Sequence, residues 1–113
     1  MPILPQHVPQ PPRRHERHDH GEAERRAKVA ALAAATLDHF GAVHLVCNNA
    51  GVGGGGLSWE AGREEWEWVL GVNLWGVIHG ISAFVPHLVA QDDGHVVNTA
   101  SIAGFAYAPM MGP

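Results

Sequence analysis

The sequence is poor in the residues that build several kinds of protein. Its single cysteine, Cys47, excludes an internal disulfide. It lies in an apolar stretch with Val43, Leu45 and Val46, where a buried, inert thiol is expected. Positive charge is also scarce: of seven Lys and Arg residues, six precede residue 29 and only Arg63 follows. Phosphate binding needs clustered cations on a structured surface, so no nucleic-acid partner is expected. No uninterrupted apolar run reaches the roughly 18 residues of a membrane span. The first 20 residues carry proline and charge where a signal peptide needs an apolar core. A cytoplasmic protein without a membrane partner is expected. A chain of 113 residues allows one modest domain, and at this size only about two-thirds of the unfolded surface is buried.

What is present divides the chain into a tail and a folded part. Residues 1 to 21 combine Pro2, Pro5, Pro9, Pro11 and Pro12 with His15, His18 and His20 and offer little to bury, so a disordered tail is expected. No second ligand cluster joins those histidines, and no metal is expected. From Glu22 to Phe40, Val29, Leu32, Ala33, Thr36, Leu37 and Phe40 approximate one apolar helix face. Gly41 stands where a C-cap glycine would end that helix. Val43 to Cys47 reads as a buried parallel strand. A long helical region follows from about Gly62 to Gln91, weakened by Gly71, Gly76 and Gly80, and His95 to Ala100 reads as a second strand. Helix, strand, helix, strand is α/β grammar, with a right-handed crossover expected between parallel strands.

Two stretches bear on chemistry. Gly51-Val52-Gly53-Gly54-Gly55-Gly56 satisfies G-x-G-x-x-G between a strand and a helix, the pattern of a pyrophosphate turn. That fingerprint also calls for an acidic residue about 20 positions on. Position 76 is Gly, and the second strand ends in Asn98, Thr99, Ala100 and Ser101 without a carboxylate, so a flexible loop is the preferred reading. The other stretch is Asn48-Asn49-Ala50-Gly51, directly after the first strand. Small and amide residues there let a ligand approach the backbone at the carboxyl edge of a sheet.

The segments LVCNNAG, WEWVLGVNLWGV around Asn73, and GHVVNTASIAG with Ser101 resemble the ordered signature of classical short-chain dehydrogenase/reductases. Asn48 precedes Asn73 by 25 positions and Asn73 precedes Ser101 by 28, as in that family. The resemblance implies a partial Rossmann-type doubly wound parallel sheet over residues 22–113, an NAD or NADP cofactor, and a small-molecule alcohol or carbonyl substrate. It implies that Asn48, Asn49, Ala50 and Gly51 steady the sheet and line the adenosine side of the cofactor site. Asn73 would bind a structural water through its backbone, and Ser101 would hydrogen-bond the substrate oxygen. A hydroxyl both donates and accepts, which suits an oxygen whose charge changes during hydride transfer.

The family's Tyr-x-x-x-Lys would begin at position 114, 13 residues after Ser101. Tyr107 and Lys28, the only residues of their types, stand elsewhere, and no glycine turn follows a first strand. The chain is therefore expected to be an inactive central fragment of the family domain; a truncated gene model is a third reading, and finding Tyr-x-x-x-Lys past residue 113 would restore the enzyme. Outside that resemblance, Ser101 alone reads as a turn or helix-cap serine. Thr99-Ala100-Ser101-Ile102-Ala103 is not the G-x-S-x-G elbow of a serine hydrolase. Trp59, Trp66, Trp68 and Trp75 read as packing or interface residues, and His44, His79, His87 and His95 as structural or exposed. The alternative function is a non-catalytic module that forms a homo-oligomer through the helix at about 62–91.

Overall fold

A computed structural model describes residues 14–106 and 108–113, with side chains from Gly21 onward. The first part of the expected tail, its histidine side chains and Tyr107 lie outside the described residues. Helix α1 runs Arg14–Phe40 and so begins eight residues before the expected Glu22. Pro12 is the last proline ahead of it, and after that only Gly21 opposes helix strongly, so the backbone can continue toward the N-terminus. Glu24 and Lys28 pair at 2.7 Å one turn apart, and Glu22 and Arg25 at 3.7 Å. Gly41, at φ +78°, donates its N–H to the Leu37 carbonyl at 2.8 Å, the left-handed C-cap that the sequence predicts.

Strands β1 (Leu45–Asn48) and β2 (His95–Asn98) pair in parallel, from Leu45 opposite His95 to Asn48 opposite Asn98. β1 starts later than Val43: the first bond across to β2 runs from the His95 N–H to the His44 carbonyl at 2.8 Å, while the Val43 carbonyl accepts from Gln91 Nε2 at 2.5 Å. The long helix is one run over residues 63–90 in three parts: α2 (Arg63–Leu70), a π turn (Gly71–Trp75) and α3 (Gly76–Ala90). By length and composition this run is apolar enough to cross a membrane. A criterion of uninterrupted apolar residues misses that property, because glycine, asparagine and histidine are interleaved. Here the run belongs to an α/β layer, packing on α1 and both strands.

The core is Ala33 of α1, Val46 of β1, and Phe84 and Leu88 of α3, with Val29, Val43 and Ala83 against it. Strand alternation decides the rest. Val46 is 8% exposed whereas its neighbour Leu45 is 59% exposed. Cys47 is exposed with Leu45, which corrects the expectation of a buried thiol: it points away from the face on which α3 packs. A buried strand is thus realised at Val46 only. Between the helices, His79 is buried and its Nε2 lies 2.5 Å from Glu22 Oε1 without hydrogen-bond alignment.

Candidate functional site

The carboxyl ends of the two strands are joined by side chains as well as backbone. Asn48 Nδ2 donates to Asn98 Oδ1 at 2.8 Å, and Thr99 Oγ1 donates to Asn49 Oδ1 at 2.6 Å. The Thr99 N–H donates to the Asn48 carbonyl at 3.1 Å. Both amides therefore turn across to β2. Asn48 also lies against Gly80 of α3, where a Cβ would stand 2.1 Å from Asn48 Oδ1. A Cβ there would have to displace the Asn48 amide, which is bonded to Asn98. With both asparagines engaged sideways, Ala50 and Gly51 remain exposed, a strip nearly bare of side chains at the edge where open α/β sheets bind ligands.

Asn73 sits in the π turn and reaches the same loop. Its Oδ1 accepts the Val52 N–H at 2.8 Å while its Nδ2 donates to the Val52 carbonyl at 2.8 Å. This two-point clamp fixes the chain just after Gly51. It uses the side chain, so it does not compete with the backbone role that the resemblance implies. Single π turns inside α-helices are frequent at functional sites. Ser101 lies three residues beyond β2, and its Oγ accepts the Ala103 N–H at 3.1 Å, capping the short 3₁₀ turn Ile102–Gly104. An accepting hydroxyl keeps its own proton available for another oxygen. Among the described residues no hydrogen bond joins Ser101 to Asn73.

The glycine run is anchored, which corrects the expectation of a flexible loop. The Val52 amide goes to Asn73, Gly54 N–H to the Pro113 carbonyl at 2.6 Å, Gly55 N–H to Glu65 Oε1 at 3.3 Å, and Gly56 N–H to the Met110 carbonyl at 3.0 Å. A phosphate needs converging free amides and no neighbouring carboxylate. This loop offers neither, so it is not a pyrophosphate turn.

Beside the exposed strip, a cavity of about 430 Å³ lies between α1, β1 and α3, lined by residues that include Leu32, Val46, Asn48, Ala50, Val77 and Phe84. Lys28 is taken up on the surface of α1. Its hydrogen bond and its charge hold the Glu24 carboxyl below the ordinary value. Among the described residues no three His, Cys, Asp or Glu side chains gather as a metal site. Sequence reasoning missed Asn98, Thr99, Gly80 and Glu65 as parts of this end of the molecule. A signal existed for two of them: VCNN and VVNT place polar residues at matching positions of two parallel strands.

Comparison with known proteins places this arrangement. Residues 16–113 match the family model described as short chain dehydrogenase. The oxidoreductase SadH of Mycobacterium tuberculosis is 44% identical over 87 residues, which are 77% of this chain and 31% of that protein. A short-chain dehydrogenase/reductase of Burkholderia phymatum, solved in complex with NAD, is 52% identical with a TM-score of 0.74, over 76% of this chain and 31% of that one. A metagenomic short-chain oxidoreductase, solved with NADP, is 33% identical with a TM-score of 0.70, over 74% of this chain and 38% of that one. The chain thus spans about a third of the length of these relatives.

Proposed function

Because the chain belongs to the short chain dehydrogenase family, we propose that it is the central part of an NAD(P)-dependent oxidoreductase interconverting an alcohol and a carbonyl. The observation that carries this reading is the polar constellation at the carboxyl ends of β1 and β2, with Asn48 and Asn49 tied to Asn98 and Thr99 and Asn73 clamping Val52. Relatives solved with NAD and with NADP support a nicotinamide cofactor without choosing between them. The bound cofactor supplies or accepts the hydride. The exposed Ala50–Gly51 strip fits the adenosine side of such a group, since no side chain bars a close approach to its backbone. Ser101 donates its hydroxyl proton in a hydrogen bond to the substrate oxygen, and Asn73 keeps the loop beside it in place.

These 113 residues contain no Tyr-x-x-x-Lys pair, and the Gly54, Gly55 and Gly56 amides are engaged. Alone they bind nucleotide weakly and turn over negligibly. The test is NADH and NADPH oxidation across a panel of carbonyl compounds, for this chain and for a form extended through a Tyr-x-x-x-Lys pair. Turnover by the short chain well above a no-protein control sinks the inactivity; an extended form that folds, binds nucleotide and oxidises none sinks the oxidoreductase reading. In the active form, Ser101→Ala lowers kcat by about 100-fold or more.

A second reading rests on the helical run at 63–90, which leaves Trp68, Leu74, Ile78 and Ile81 between 37% and 50% exposed. That face suits a homo-oligomer. A defined dimer by light scattering with no nucleotide affinity favours association alone, and a monomer removes it. In either reading the protein works in the cytoplasm, without nucleic acid or membrane.

A further inference from the structure

The loop after β1 and the segment after β2 run back against each other, and their pairing is selective within a run of four glycines. A Cβ on Gly54 would stand 2.3 Å from the Pro113 carbonyl oxygen, and one on Gly112 would stand 2.9 Å from the Gly55 carbonyl oxygen. The Gly55 carbonyl is mid-chain backbone, which cannot swing aside, and the Cβ on Gly54 would also meet Glu65 Oε1 at 2.5 Å. Gly53 and Gly55, in the same run, have nothing within 4 Å of such a Cβ. Two bonds hold the pair, from Gly54 N–H to Pro113 O at 2.6 Å and from Gly56 N–H to Met110 O at 3.0 Å. Met110 adopts φ +64°, a left-handed conformation unfavourable to a residue bearing a Cβ, so the pairing holds it against its own preference. From α2, the half-buried Glu65 accepts the Gly55 N–H at 3.3 Å.

We propose that Gly54, Gly112 and Glu65 are positioning residues: they form a backbone strap that fixes residues 110–113 against the loop clamped by Asn73. The strap touches neither substrate nor cofactor. It sets where the chain leaving Ser101 runs, and so how that segment is presented at the carboxyl edge. This deepens the oxidoreductase reading and rests on it only for its consequence in catalysis. The strap itself is measurable without turnover.

The experiment is amide hydrogen exchange by NMR on the full chain. In the unsubstituted protein the Gly54 and Gly56 amides exchange at least about tenfold more slowly than the Gly53 amide. Gly112→Ala speeds exchange at Gly54 and Gly56 by about tenfold, as Gly54→Ala does at Gly56, while the Phe84 and Leu88 amides of the core do not change. Gly53→Ala and Gly55→Ala leave the Gly56 rate within about twofold. Glu65→Ala frees the Gly55 amide and Glu65→Gln, which keeps an acceptor oxygen, restores its protection. Met110→Gly retains or deepens protection at Gly56. Equal effects from all the glycine substitutions, or unprotected Gly54 and Gly56 amides in the parent chain, overturn the proposal. Should Gly54→Ala unfold the chain, Met110→Gly and the Glu65 pair still decide: loosening by the former, or no difference between Glu65→Ala and Glu65→Gln, overturns it.

Discussion

The two ends of the sheet are built by different means. At the carboxyl end, side-chain amides and a threonine hydroxyl stitch β1 to β2, Asn73 holds the next loop at two points, and backbone bonds fasten that loop to the segment after β2. In the body of the sheet only one face has partners among the described residues: Val46 is covered, while Leu45 and Val97 are 59% and 48% exposed. No described side chain is less than 2% exposed. Among the described residues the polar end is joined by directional bonds, whereas the apolar layer is covered on one face. Directional bonds between neighbours close locally, and a hydrophobic layer closes only when something covers both its faces.

The strongest way to break the polar end is Gly80→Ala. The added methyl meets Asn48 Oδ1 at 2.1 Å. Overpacking costs about 1–3 kcal/mol, against at most about 1 kcal/mol gained in helix propensity. A lowered urea midpoint is expected, and an unchanged midpoint contradicts the close contact. The apolar body is tested by a pair of substitutions. Val46→Ala costs about 2 kcal/mol, while Leu45→Ala stays within about 0.5 kcal/mol because its side chain is already exposed. Equal losses would mean that both faces are covered in solution, for instance by a second copy.

Asn73→Ala costs less, about 1 kcal/mol, since water replaces part of the lost bonding at an exposed position. Its mark is local: faster exchange at the Val52 amide with little change at Phe84. The smallest effect concerns acid. The Glu24 carboxyl has a folded pKa below its ordinary 4.5, from the Lys28 hydrogen bond and charge. Its contribution is present above 4.5 and is lost as pH falls through the lowered value. Circular dichroism should show slight fraying of α1 in that acid window, and less of it in Glu24→Gln.

Legibility in the sequence followed the same division. The order of elements, the parallel pairing and the Gly41 cap were readable because period and punctuation report local geometry. The asparagines of LVCNNAG were singled out as amide residues directly after a strand and Asn73 by the family resemblance, yet the side-chain clamp of Asn73 on Val52 was not, because its partner is a backbone group with no sequence signature. Gly80 read as a weak point in a helix, whereas its meaning lies in a contact 32 residues away in sequence, at Asn48. Cys47 was misplaced because apolar neighbours suggest burial on both faces, and one strand pairing with one covered face halves it. The four glycines looked alike and differ through what faces each of them and through the left-handed φ of +84° at Gly56.

The π turn between α2 and α3 has a consequence for the whole helical run. An α-helix advances about 100° per residue, so one residue accommodated by a widened turn rotates everything beyond it by roughly a quarter turn. α2 and α3 are therefore a single rod by composition and two out-of-phase rods by geometry. The offset works as a reading-frame change in three dimensions: it allows α2 to face the glycine loop while α3 faces the core. A one-residue deletion within Gly71–Trp75 would bring the halves back into phase and misdirect one of them, although every hydrophobic residue on either side would still be there.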